Sequence, residues 1–231
     1  LLSRAECSEV APSTALQCVA QFSKANHSFI NTGYQKMRIN YMIEGTAPLM
    51  MCKFNIKTLG SNNKRNKNLT PQEEAEGFAY KDKDGYLYVP KEALWRCLGQ
   101  GGQEIKYDNK KQLATKDRTR LSLGLTLLSN DEILLLSKKS LKDKWKKTKH
   151  YEVDSRRVVV PATKGAIIRH RPRIDIWALE FNIDLDENVF EQSLIRKLLD
   201  ISGKIAGLMA FRPTCNGYYG TFKVTREKVL N

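Results

Sequence analysis

The stretch Ala166–Leu185, AIIRHRPRIDIWALEFNIDL, constrains the fold more than any other part of the chain. It is long, rich in β-branched and aromatic residues, and has no helical period, so it reads as strand. Pro172 is expected to divide it. A second β-forming stretch, YEVDSRRVVVPA (Tyr151–Ala162), precedes it across a short Thr-Lys-Gly turn. A helix then follows, with Val189, Leu194, Leu198, Ile201 and Ile205 near 3.6-residue spacing. GTFKVTREKVL (Gly220–Leu230) closes the chain as another strand.

The first half has the same grammar. KMRINYMIEG (Lys36–Gly45) alternates Met37, Ile39, Tyr41 and Ile43 with Arg38, Asn40, Met42 and Glu44, the pattern of a half-buried strand. Thr70-Pro71-Gln72-Glu73 supplies an N-cap, a first-turn proline and an acidic first turn for a helix over Pro71–Gly77. Asp84-Gly85 marks a hairpin. Pro90 opens a further helix that Gly99, Gly101 and Gly102 are expected to stop. Lys106–Arg120 reads as a mobile basic loop, Arg120–Leu128 as a strand, and Asp131–Ser137 is ambiguous.

Two strand–helix–strand halves predict an α+β fold. The expected form is a ferredoxin-like or RRM-like antiparallel sheet with helices on one face and basic loop insertions. The expected organisation is an N-terminal extension over 1–36 and a single α+β domain over 37–231, with insertions at about 57–70 and 103–149.

The charge narrows the partner. Lys and Arg number 39 against 25 Asp and Glu, a formal net charge of +14. An excess of that size implies an anionic partner, most often nucleic acid. No apolar run approaches the ~18 residues of a membrane span, so no membrane partner is expected. The opening residues lack the basic-then-apolar pattern of a signal peptide. Five cysteines, Cys7, Cys18, Cys52, Cys97 and Cys215, show no CxxC pair. They read as reduced thiols of a cytoplasmic protein, with no disulfide framework, metal site or cofactor.

Three segments carry candidate binding chemistry. On a strand, Arg169, Arg171 and Arg173 share one face and form a phosphate-binding stripe, or else pair with acids such as Asp175 and Glu180. The lysine run offers Lys138, Lys139, Lys142, Lys144, Lys146 and Lys147 around Trp145. It reads either as a phosphate-tracking loop or as a solvated surface, with Trp145 stacking on a base or anchoring the loop. In LMAFRPTCNGYYGTFKV (Leu208–Val224), Arg212 can fork onto a phosphate and Tyr218 and Tyr219 can stack on bases. Gly217 and Gly220 admit positive φ or a close backbone approach, and Gly203 and Gly207 end the preceding helix. The alternative is a tight helix–strand connection whose tyrosines pack on the sheet.

Catalytic patterns are sparse. There are three histidines, His27, His150 and His170, and no HExxH, Walker A or dinucleotide fingerprint. Asp82, Asp84 and Asp108 are candidates for a divalent ion, although the turn explains Asp84-Gly85. His150 or His170 beside a basic groove offers general acid–base cleavage of RNA as an alternative.

Three of these segments together resemble a family of uncharacterised bacteriophage proteins. They are Gly45-Thr46-Ala47-Pro48-Leu49-Met50, then Arg169-His170-Arg171-Pro172 with Trp177, and finally Gly207–Pro213 with Gly217 and Tyr219-Gly220-Thr221-Phe222-Lys223-Val224. Met209 stands where that family has a glycine, and Thr221 where it often has a basic residue. The glycine-rich turn and basic sheet are also similar to the RAMP superfamily of CRISPR effector backbones. That resemblance implies RNA or single-stranded nucleic acid held along a sheet, in a homo-oligomer or filament. The expectation is therefore a non-enzymatic binder of single-stranded RNA or DNA. The alternatives are a metal-independent endoribonuclease of RAMP type and an assembly protein with an acidic partner.

Overall fold

The computed structural model describes residues 36–54, 69–107, 111–127, 131–138, 140, 143–159 and 165–230. Residues 1–35 of the expected N-terminal extension, the basic residues 57–68, Asp108, Lys139 and Lys142 lie outside the described residues.

Strand β1 (Lys36–Gly45) buries Ile39, Tyr41 and Ile43 completely, on the face that its alternation marks. The two-residue β2 (Leu49–Met50) follows the Ala47-Pro48 turn. Helix α1 (Pro71–Phe78) begins with a capping box. Glu73 N–H donates to Thr70 Oγ1, and Thr70 N–H donates to the Glu73 carboxylate. Beyond it come β3 (Tyr88–Pro90) and α2 (Lys91–Gly101). Gly99 lies inside α2, and the helix ends within the glycine cluster as expected, with Gly101 its last residue and Gly102 its C-cap, before a single 3-10 turn, Gly102–Glu104.

The expected loop at 106–120 contains a small hairpin, β4 (Lys106–Tyr107) and β5 (Lys111–Gln112), held down by the buried Leu113 and Ala114. The strand expected over Arg120–Leu128 is shorter. Leu121–Leu123 forms a 3-10 turn and only Leu125–Leu127 is strand β6. The ambiguous segment is strand β7 (Glu132–Ser137), and β8 (Lys146–Lys147) pairs beside it.

Strands β9 (Glu152–Val159) and β10 (Ala166–Ile174) pair with each other, then β11 (Ala178–Asp186), α3 (Gln192–Ile205) and β12 (Phe222–Leu230) complete the chain. The long stretch does break, but at Asp175–Trp177 rather than at Pro172. Pro172 sits within β10, where its carbonyl accepts the Met51 N–H at 2.9 Å. It has no N–H to return, and β2 ends there.

The result is α+β with antiparallel sheets. The main sheet runs β12-β1-β11-β7-β3, with β6 beside β11 and β8 beside β7, and every pairing is antiparallel. Strand β11 lies between β1 and β7, the split strand–helix–strand arrangement that two such halves predict. Helix α3 packs on β12 through Gly203, where a Cβ would meet the Phe222 carbonyl oxygen at 2.2 Å. Gly203 is thus a packing glycine inside α3, not a loop glycine. Its buried companions are Ile195, Leu198, Leu199 and Ser202, a stripe one residue away from much of the expected one.

The arginine strand β10 belongs to a second sheet, β2-β10-β9, against which α1 packs. The segments that carry the bacteriophage resemblance meet where the two sheets join. Trp177 is fully buried and its Nε1 donates to the Ala47 carbonyl at 2.8 Å. Gly45 N–H donates to the Trp177 carbonyl (2.9 Å), Thr46 N–H to Thr221 (2.8 Å), and Gly220 N–H to Pro48 (2.8 Å).

Candidate nucleic-acid interface

Register places the charges. β10 pairs with β9 so that Arg169 faces Arg156, Arg171 faces Asp154 and Arg173 faces Glu152. Directly paired residues share a face, so these six side chains project from one side of the ribbon. Ser155 and His170 project from the other.

The acids on this face divide the arginines. Asp154, 8% exposed, accepts Arg156 Nε at 2.6 Å and Nη2 at 3.1 Å, and Arg173 Nη1 at 3.4 Å. Arg173 also donates to Asp175 at 2.7 Å and to Glu152 at 3.3 Å. Hydrogen bonding to Asp154 raises the Arg156 pKa and hydrogen bonding to Asp175 raises that of Arg173, so both stay protonated. Arg169 donates to the buried Glu74 of α1 at 3.0 Å. Glu180, the other acid expected to pair with this stripe, holds Arg226 instead. Arg171 makes no side-chain hydrogen bond or ion pair among the described residues, and its Nε is buried.

A groove of about 1080 Å³ opens beside this ribbon. Lys138, Lys144, Lys146 and Lys147 line it together with His150, Tyr151 and Arg173. Its acids are Asp143, Glu152 and Asp175, and the last two already hold Arg173. The lysine run and the end of the arginine strand at Arg173 therefore line the same groove. Trp145 does not line the groove. It is half-buried with Lys138 Nζ 4.2 Å from its ring centre, so it anchors a lysine. Tyr86 does the same for Lys149 at 4.5 Å.

At the other end of the face lies the glycine turn. Phe211, Tyr218 and Tyr219 contact one another edge to face at 4.8–5.6 Å, and Arg156 stacks on Phe211 and Tyr219 at 5.1 and 4.7 Å. The expectation that both tyrosines stack on bases is corrected here. Tyr219 is only 3% exposed and its hydroxyl accepts from Arg156, whereas Tyr218 is 60% exposed. Burial also raises the Tyr219 pKa. Arg212 braces its own turn: its Nε donates to Thr214 Oγ1 (2.9 Å) and its Nη1 to the Met209 carbonyl (2.7 Å).

The turn is crowded, which explains its glycines. Gly207 and Gly220 both have φ +68. A Cβ on Gly220 would lie 2.0 Å from the Leu208 carbonyl oxygen. Gly217 is required by proximity to the Phe211 carbonyl oxygen, 1.9 Å from its would-be Cβ, while the left-handed residue beside it is Asn216 (φ 57). Met209 (φ 64) and Phe211 (φ 55) adopt the left-handed backbone as well, an uncommon conformation for residues other than glycine.

The two candidate histidines do not share a site. His150 is exposed on the groove wall. On the far face of β10, His170 Nδ1 lies 2.7 Å from Ser155 Oγ and its Nε2 3.9 Å from Glu74. Asp82 is a turn residue whose carboxylate accepts the Asp84 and Tyr86 N–H groups at 3.0 and 2.7 Å. Among the described residues no group of three His, Cys, Asp or Glu side chains is placed to hold a metal ion, and no helix is long and apolar enough to cross a membrane.

Sequence reasoning missed Arg156, Asp154 and Glu74. Hairpin register would have placed the first two opposite Arg169 and Arg171. Nothing local announces Glu74, which reaches Arg169 from 95 residues away.

Fold and site together define an α+β protein with a cationic groove and an aromatic turn on one face of an antiparallel ribbon. No protein-family model matches the chain, and no curated protein matches it. Among solved structures, it is similar to one described as "Cryo-EM structure of the Type III-B Cmr-beta bound to cognate target RNA". The identity is 10% and the TM-score 0.43, over 96% of this chain and 68% of that one. A likeness at that level carries no argument about function, so the reading below rests on the residues.

Proposed function

We propose that this protein binds single-stranded nucleic acid, RNA or DNA, chiefly through the phosphate backbone. The carrying observation is the groove in which Lys138, Lys144, Lys146 and Lys147 meet three acids, of which Glu152 and Asp175 hold Arg173 and Asp143 accepts the Ser140 N–H at 2.9 Å. Lysines are point charges suited to following a phosphate chain without reading its sequence. Tyr218 adds an open aromatic ring at the far end of the same face, where a base can stack.

The test is a fluorescence-anisotropy titration at low salt with single-stranded RNA, single-stranded DNA and duplex DNA of equal length. Preceding it, the absorbance ratio at 260 and 280 nm of gently purified protein is measured before and after ribonuclease or deoxyribonuclease. Tight binding of a single strand, with slight sequence preference and weaker duplex binding, supports the proposal. A low ratio with no binding to any of the three overturns it. Incubating the RNA in EDTA during the same titration reads out cleavage, the outcome that the endoribonuclease alternative requires.

A further inference from the structure

Three arginines project from one face of β10, yet they are not equivalent. Arg169 holds the buried carboxylate of Glu74, and Arg173 holds Asp154, Asp175 and Glu152. Each is therefore part of the protein's own charge balance. Arg171 stands directly across from Asp154, the natural partner for it, but the Asp154 oxygens are taken by Arg156 and Arg173. Among the described residues Arg171 makes no side-chain hydrogen bond or ion pair. Its Nε is buried without an acceptor, whereas its two terminal nitrogens are not among the buried unpartnered atoms. A guanidinium whose Nε is desolvated without an acceptor and whose terminal donors are not fully buried is disfavoured in the free protein and gains unusually from an anion.

We infer that Arg171 is the anion anchor of this surface, its two terminal nitrogens gripping one phosphate ester end-on, while Arg169 and Arg173 hold the protein together. That the phosphate belongs to a nucleic-acid backbone rests on the binding proposal above; the anion site itself does not. A free phosphate compound offers the same chemistry.

The experiment compares Arg171→Met, Arg171→Lys and Arg173→Met in the full chain by melting temperature and by titration with a single-stranded oligonucleotide and with inorganic pyrophosphate. Arg171→Met removes the unmet donor and is expected to raise the melting temperature by about 2 °C or more. The same variant is expected to weaken oligonucleotide binding about tenfold or more and to lower the slope of log affinity against log salt by about one. Arg171→Lys keeps the slope and recovers part of the affinity. Arg173→Met lowers the melting temperature. The inference is overturned if Arg171→Met leaves affinity and slope at wild-type values, or if it lowers the melting temperature. If the wild-type protein ignores the oligonucleotide but binds pyrophosphate, and Arg171→Met abolishes that, the anchor stands and the nucleic-acid source falls. Binding of neither ligand overturns both.

Discussion

The Asp154 carboxylate sits between two guanidiniums, 2.6 Å from Arg156 Nε and 3.4 Å from Arg173 Nη1, with 8% of its side chain exposed. Replacing it with Asn keeps the shape, removes the charge and turns an N–H₂ toward one of the arginines. Breaking a fully buried pair costs several kcal/mol, but these guanidiniums are 32% and 30% exposed, so solvent recovers part of the loss. Asp154→Asn is expected to destabilise by about 1–2 kcal/mol, a few degrees in a thermal melt. Binding of a single strand is expected to hold or improve, because a negative charge is removed from the face while Arg173 stays paired with Asp175 and Glu152. A melt unchanged from wild type would mean that Asp154 does not organise this face. The shared face of Arg169, Arg171 and Arg173 was legible from alternation alone. Of their internal pairings only the one with Asp175 was legible, because Glu74 arrives through tertiary packing and Asp154 through hairpin register. The tyrosines show the same limit: Tyr218 and Tyr219 are neighbours in sequence, and only the turn's backbone decides that one is exposed and the other buried.

At the scale of elements, glycines separate local from tertiary rules. A glycine cluster reads as a helix stop, and α2 does end at Gly101 with Gly102 as its cap, but the glycines inside and at the end of the helix are there for different reasons. A Cβ on Gly99 would meet nothing within 4 Å, whereas one on Gly101 would lie 2.0 Å from Ser202 Oγ, where α2 and α3 cross. Gly99→Ala is expected to stabilise by about 0.5–1 kcal/mol through helix propensity alone. Gly101→Ala is expected to destabilise by about 2 kcal/mol or more, since α3 must move away from a buried contact. Opposite shifts in denaturant midpoint at unchanged slope check both at once. The strand–helix–strand halves were readable because long periodic elements state their type. The second sheet was not, since β2 has two residues and no period, and since Pro172 is a more conspicuous breaker in sequence than the Asp175–Trp177 corner that does the breaking.

For the whole molecule the question is whether the +14 charge acts through the groove or is spread without purpose. The two cases differ in how binding responds to salt. Each phosphate neutralised on a single strand contributes about −0.7 to the slope of log affinity against log salt. Lys138, Lys144, Lys146, Lys147 and Arg171 are five cations of the groove and ribbon not held by a carboxylate among the described residues, so the expected slope is about −3.5. Affinity should then fall roughly a hundredfold between 50 and 200 mM salt. Converting Lys144, Lys146 and Lys147 to Ala is expected to reduce the slope by about 2. Tyr218→Ala should behave in the opposite way, losing about 1–3 kcal/mol of stacking with the slope intact. Those two signatures keep charge and stacking apart. A triple lysine variant with an unchanged slope would place the neutralising cations elsewhere on the chain and leave the groove without a role in the excess charge.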